Sequence, residues 1–213
     1  MPICKLVGAV NDALSGVPDI SHVNFQPDWR QIYMLTVGDK LPEFNVPVQQ
    51  GTDALPNDER LTDKDFDGKW KILFWWPKDF TFVCPTEIVG YGDLKDDFED
   101  RDAVLIGGSM DTDFVHFAWR KSDERLAKAD FPWIADNKGE LAHALGIVDK
   151  NAGVALRATF IVDPDNVIQH ITINGLNVGR NPKETLRILD ALQTDELCPC
   201  NWEEGQDVLK PAA

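Results

Sequence analysis

The sequence predicts an α/β fold, a central mixed sheet flanked by helices, and three observations carry the prediction. Lys71 to Trp76 reads K-I-L-F-W-W, a short and almost continuous apolar run of β-favouring residues, which marks a strand buried on both faces. Downstream of it, strand-like and helix-like apolar periods alternate, the pattern of parallel βαβ units. Ala158 to Val162 and Val167 to Ile173 then flank Asp163-Pro164-Asp165-Asn166. Proline fixes φ there and Asp and Asn favour turns, so the two runs pair as an antiparallel hairpin.

The elements follow in order. Residues 1–36 carry Gly8, Gly16, Pro18 and Pro27 without a sustained period and read as an N-terminal appendage. From Val37, Gly38, Pro42 and Pro47 punctuate short extended pieces, and Gly51 to Arg60 is a polar surface loop. After the 71–76 strand, Ile88, Tyr91, Leu94 and Phe98 fall on one face of a helix that begins near Pro85, a residue tolerated in a first turn. Ala103 to Ile106 is the next strand. Asp111 or Thr112 caps a helix whose Phe114, Phe117 and Ala118 share a face. Phe131 to Ile134 is a brief strand and Gly139 to Leu145 a short helix. Asn181, Pro182 and Glu184 stand where an N-cap, an N1 proline and an N3 acid stand, opening a helix with Leu186, Leu189 and Leu192 on one side. The main domain is therefore expected over 37–197, with a C-terminal tail from 198 to 213.

Composition removes several classes of function. The 213 residues hold 21 Lys and Arg against 36 Asp and Glu, a net charge of −15, which repels phosphate backbones and anionic membranes. No nucleic acid or membrane partner is expected. The longest large-apolar run in the middle of the chain, Ile72 to Trp76, is far short of the ~20 residues that span a bilayer. Asn11 and Asp12 interrupt any signal-like stretch, so the chain reads as cytoplasmic. Cys4, Cys84, Cys198 and Cys200 are too sparse to staple a fold of this size, and no C-x-x-C occurs. His22, His116, His143 and His170 lack metal-ligand spacing, so no metal site is expected.

Chemistry concentrates between the central strand and the helix near Pro85, where strand ends and helix N-termini converge in α/β sheets. Cys84 sits at that helix start, against free backbone N–H groups and the positive end of the dipole, a placement that favours a thiolate. Thr81, three residues earlier, offers a hydroxyl to a bound oxygen. Taken alone, a cysteine among aromatics reads as a buried core thiol. The context reverses that reading. P-x-x-x-T-x-x-C, filled by Pro77, Thr81 and Cys84 inside F-T-F-V-C-P-T-E, resembles the signature of the peroxiredoxins in their typical two-cysteine form. V-G-R-N at 178–181, E-T-L-R-I-L-D-A-L at 184–192 and D-E-L-C-P-C-N-W at 195–202 extend the likeness over about residues 37–203. Within that family the chain is similar to the alkyl hydroperoxide reductase C proteins in their actinobacterial three-cysteine form.

The resemblance implies a thioredoxin-like peroxiredoxin fold and a thiol-dependent peroxidase acting on hydrogen peroxide, organic hydroperoxides and peroxynitrite, with no cofactor. By position it makes Cys84 the peroxidatic nucleophile, Thr81 the residue that holds the peroxide, Pro77 the shield of the pocket and Arg157 the cation against the sulfur. Glu87 and Arg180 resemble the pair that orients Arg157; a solvated salt bridge is the competing reading. Cys198 aligns with the resolving cysteine, 114 residues from Cys84, which in the family reaches a partner subunit's site. This implies a disulfide-linked homodimer that assembles into a ring. Cys200 either relays the disulfide or is a spare thiol, and Cys4 matches nothing in the pattern. The reductant is a protein: thioredoxin, a flavoprotein reductase or a small C-x-x-C adaptor. Neither G-G-L-G in the stretch 120–140 nor a Tyr-Phe tail occurs, and resistance to overoxidation is expected. Two other classes stay open at this point, a disulfide-exchange protein and a redox-switched holdase chaperone or peroxide sensor.

Overall fold

The computed structural model describes residues 35–210. Cys4 and the remainder of the 1–34 stretch lie outside the described residues, as do 211–213. Seven strands form one mixed sheet in the order β2-β1-β5-β4-β3-β6-β7. They are β1 (Asn45–Gln49), β2 (Arg60–Thr62), β3 (Trp70–Trp75), β4 (Ala103–Ser109), β5 (Trp133–Ala135), β6 (Arg157–Val162) and β7 (Ile168–Asn174). Among the described residues six helices accompany them: α1 (Cys84–Gly92), α2 (Lys95–Glu99), α3 (Asp113–Ser122), α4 (Glu124–Ala127), α5 (Glu140–Ala144) and α6 (Pro182–Gln193).

Strand β3 is central and runs parallel to β4 and antiparallel to β6, so it has no free edge. Its side chains alternate between two cores. Leu73 and Trp75 pack with Ile106, Phe160, Leu141 and Leu145 on the face that carries α5. Ile72, Phe74 and Trp76 pack with Ile88, Tyr91, Phe98, Trp119 and Leu189 from the helices of the other face. Both faces are covered, and a run with no polar alternation is the sequence consequence. Gly107 of β4 is required by this packing: a Cβ there would stand 2.7 Å from Trp76 and 2.9 Å from Phe131.

The hairpin forms as expected. Asn166 takes φ 61°, in the left-handed region that Asn tolerates, and the Asp163 carboxylate accepts from the N–H groups of Asp165 and Val167. Asn181 caps α6 by accepting from the N–H of Lys183, and Thr112 rather than Asp111 caps α3.

Two expectations need correction. The single helix expected from Pro85 through Phe98 is two: Leu94 N–H bonds the Tyr91 carbonyl in a tightened turn, and α2 restarts to bury Phe98. The buried face of α3 is His116, Trp119 and Arg120, while Phe114 and Ala118 are exposed and Phe117 is half-buried. His116 and Arg120 are inside because distant groups meet them. The His116 ring lies between Asp79 and the Ile134 carbonyl. The Arg120 guanidinium bonds the Phe131 carbonyl and lies 3.9 Å over the Trp133 ring.

Candidate active site

Proline ends the run of β3: Trp76 N–H still bonds the Gly108 carbonyl, but Pro77 has no N–H to continue the ladder. The chain turns through Lys78 to Val83 and enters α1 at Cys84, with Pro85 in the first turn. Val83 offers no side-chain cap, and its carbonyl accepts from the Thr86 and Glu87 N–H groups of the first turn. Cys84 is fully buried and is a free thiol, as are Cys198 and Cys200.

Sheet register brings Arg157 to this point. β6 pairs antiparallel with β3 so that Thr159 faces Phe74, and Arg157, two residues earlier on β6, therefore lies past the C-terminal end of β3. Its Nη1 donates to the Cys84 sulfur at 3.4 Å and to Glu87 Oε2 at 2.5 Å, and its Nε donates to the Leu176 carbonyl at 2.8 Å. Glu87, one turn after Cys84 on α1, takes Arg180 on its other oxygen, from Nε at 2.8 Å and from the backbone N–H at 3.0 Å. Arg180 Nη1 continues to the Ala158 carbonyl and the Thr159 hydroxyl, and Thr159 in turn bonds Tyr91.

All three charged side chains are buried, with the Arg157, Glu87 and Arg180 side chains at most 5% exposed. One carboxylate between two guanidiniums leaves one positive charge in excess, and Arg157 presents it to sulfur. Burial alone pushes the Arg157 guanidinium down, but its hydrogen bond to Cys84 and the charges of Glu87 and Cys84 outweigh that, so its pKa is raised. Glu87 and Arg180 thus form a buried network and not a solvated salt bridge.

Thr81 is half-buried, with its hydroxyl donating to the Lys78 carbonyl at 2.9 Å and its oxygen lone pairs left to accept. Cys198 and Cys200 lie elsewhere, after α6. The Cys198 sulfur contacts the Thr194 hydroxyl at 3.4 Å and the Ala191 carbonyl at 3.8 Å, and Cys200 is exposed. The tail around them is tied down: Trp202 is buried, its carbonyl accepts from Arg187, Arg101 bridges Asp190 and Glu204, and Leu197 pairs with Leu209.

Sequence reasoning missed Asp79, Ser109, Asp111 and His116, which knit the loop before Cys84 to β4, β5 and α3. The one signal was an acid inside an aromatic loop, which local hydropathy reads as solvent-facing. No helix among the described residues is long and apolar enough to cross a membrane.

A buried cysteine at a helix N-terminus, backed by an Arg-Glu-Arg network at the end of a central strand in a thioredoxin-like sheet, defines a thiol-dependent peroxidase of the peroxiredoxin class. Comparison with known proteins agrees. The AhpC/TSA family model matches residues 37–171. Alkyl hydroperoxide reductase C of Mycolicibacterium smegmatis is 50% identical over 184 residues, covering 83% of this chain and 94% of that protein. Alkyl hydroperoxide reductase C of Mycobacterium tuberculosis is 46% identical over the same shares. The solved structure of Mycobacterium tuberculosis AhpC superposes with a TM-score of 0.73 at 46% identity, covering 80% of this chain and all of that one. The reduced 2-Cys peroxiredoxin of Plasmodium vivax gives 0.77 at 30% identity, covering 84% and 94%. The chain belongs to the AhpC/TSA family, and it is an enzyme of the peroxidase type. The disulfide-exchange and holdase or sensor readings are not favoured by these relatives.

Proposed function

We propose that Cys84 reduces hydroperoxides and that Cys198 of a second copy of the chain resolves the product. Cys84, as thiolate, attacks the terminal oxygen of the peroxide; an S–O bond forms, the O–O bond breaks, and the departing alkoxide or hydroxide takes up a proton. Arg157 carries the negative charge as it moves from sulfur to the leaving oxygen. Thr81 accepts from the peroxide O–H, and Pro77 helps shield the pocket. Glu87 and Arg180 hold the Arg157 fork in place. The observation that carries this reading is the 3.4 Å approach of Arg157 Nη1 to the sulfur, braced by Glu87.

The sulfenic acid then condenses with the Cys198 thiolate, forming an S–S bond and releasing the hydroxyl as water. The sulfurs must come within the narrow limits of a disulfide. Cys84 is fully buried and Cys198 is held against α6, so the first turn of α1 and the tail both have to open. A dithiol protein returns two electrons, with Cys200 receiving the disulfide from Cys198 on the way. The enzyme works in the cytoplasm as a homodimer built into a ring, from a 37–197 peroxidase domain and a 198–213 tail. Support for further assembly is the outward aromatic set Phe80, Phe82 and Phe114, with exposures of 59%, 95% and 59% in the single chain.

The test is twofold. Cys84→Ser abolishes peroxide reduction. Peroxide-treated wild type runs as a covalent dimer on a non-reducing gel, and peptide mapping finds Cys84 joined to Cys198. Absence of a Cys84–Cys198 bond in peroxide-treated Cys200→Ser, where no relay can follow, rejects the resolving step.

A further inference from the structure

The loop that carries Thr81 is fastened from inside the protein by a group with no part in the reaction as described above. Asp79 is a buried carboxylate, 3% exposed, two residues before Thr81. Both its oxygens are used: Oδ1 accepts from Trp76 Nε1–H at 2.7 Å, and Oδ2 lies 2.6 Å from Nδ1 of His116, which is itself fully buried. Its backbone N–H donates to Asp111 Oδ2 at 2.8 Å, an oxygen also bound by the Ser109 hydroxyl at 2.7 Å. Three separate stretches, the ends of β3 and β4 and helix α3, therefore converge on one loop residue, and β5 joins through the Ile134 carbonyl on His116.

The proton arrangement makes this fastening specific. His116 Nε2 faces the Ile134 carbonyl at 3.0 Å, and a carbonyl can only accept, so Nε2 carries a hydrogen. On the other side Nδ1 faces a carboxylate, and that contact is attractive only with a proton between the two. The pair thus holds one shared proton out of solvent. The other charged groups near it are Asp111, at the Asp79 N–H, and Arg120, whose charge Asp79 and Asp130 both support.

What the fastening holds is a bent backbone. Phe80, the next residue, has φ 55°, in the left-handed region that costs a side-chain-bearing residue energy. Its ring is exposed and packs at 5.8 Å on Trp119, one turn beyond His116 on α3. The sharp turn at Phe80 folds the chain back so that the Thr81 hydroxyl meets the Lys78 carbonyl. Without Asp79 held inside, only the exposed Phe80–Trp119 contact and the Thr81–Lys78 hydrogen bond would oppose relaxation of the turn.

We propose that Asp79 and His116 are positioning residues for peroxide reduction: the buried pair fixes the turn at Phe80 and thereby holds Thr81 in register with Cys84. The proposal rests on the reading of Cys84 and Thr81 given above. Its signature is selectivity. Alkylation of Cys84 by iodoacetamide needs the sulfur but not the Thr81 hydroxyl, whereas peroxide reduction needs both.

The experiment measures the second-order rate constants of the full-length protein with hydrogen peroxide and with iodoacetamide, for wild type, His116→Leu and Asp79→Ala. Each variant is also made in a Thr81→Val background. The expected result is a fall of about tenfold or more with peroxide and less than about threefold with iodoacetamide, as misplacement of a positioning group would give. In the Thr81→Val background the same changes should add little, because their effect passes through Thr81. Equal losses with both reagents, no loss with peroxide, or full additivity with Thr81→Val would each overturn the proposal. If near-UV circular dichroism shows that His116→Leu or Asp79→Ala is not folded, His116→Gln, which keeps one donor, decides by the same ratio. Cys84→Ser and Thr81→Val alone report separately on the underlying reading, since peroxide reduction surviving in Cys84→Ser, or undiminished in Thr81→Val, would reject that reading and not the role of the pair.

Discussion

The two cysteine regions of this chain are built on opposite principles. Cys84 stands at the end of the central strand with no solvent exposure, against an arginine that is locked by a buried carboxylate and a second arginine. Cys198 stands after the last helix, half-buried, with two weak sulfur contacts. Its tail is held by one aromatic plug and by ion pairs that include a Glu204 side chain 69% exposed. The difference teaches what each step needs. Attack on peroxide gains from groups fixed before the substrate arrives, because no reorganisation is left to do in the transition state. Resolution needs a segment that lets go, and segments that move are drawn from the low-stability end of a structure.

The sharpest break of this comparison is Glu87→Gln. It leaves two buried guanidiniums without their anion, and loss of one partner of a buried ion pair costs about 3–5 kcal/mol. Urea unfolding should show a loss of that order; a loss no larger than that of a surface substitution would mean the network is not a structural unit. Arg157→Ala should follow, lowering the rate of peroxide reduction by about 10²–10³, as removal of one charge-stabilising donor does. Stopped-flow fluorescence reads it, because Trp75 and Trp76 adjoin the loop, and a loss below about threefold would return Arg157 to a purely structural role.

On the tail the same exercise should give local effects. Trp202→Ala removes the plug, for which truncation of a buried Trp sets a scale of about 3 kcal/mol, and hydrogen exchange should rise across 197–209 while the sheet stays protected. With graded hydrogen peroxide, sulfinic Cys84 should accumulate in Cys198→Ser and not at micromolar doses in wild type, and Trp202→Ala should be no more sensitive than wild type. Glu204→Gln, which breaks only the exposed half of the Arg101 bridge, should change stability by less than about 1 kcal/mol.

The smallest effect is one of pH. Burial lowers the pKa of His170, on β7 near Glu184 and Arg187 at the base of the tail. A depressed histidine is neutral in both states at high pH, so its contribution is intact above the ordinary value near 6.5 and is lost as pH falls below it. The urea midpoint of wild type should therefore drop further between pH 7.5 and pH 5 than that of His170→Gln. An equal drop would remove His170 from the acid limb.

Much of this was legible in the chain itself. The six-residue apolar run, the turn at 163–166, the cap at Asn181 and the helix start at Cys84 are local facts, set by steric limits on φ and by periods of 2 and 3.6 residues. The signature around Cys84 pointed to the chemistry, and Arg157, Glu87 and Arg180 came with it by resemblance. Helix α3 went the other way. Its hydropathy put Phe114, Phe117 and Ala118 inward, and the fold buried His116 and Arg120 instead. Periodicity counts the cost of burying a polar group but cannot see who repays it, since here the partners are Asp79, the Ile134 and Phe131 carbonyls and the Trp133 ring. The meeting of Arg157 with a sulfur 73 residues away is of the same kind: it exists only because β6 lies antiparallel to β3 in one register. Backbone preference is written residue by residue, whereas compensation of buried charge is a property of pairs that only the packed sheet brings together.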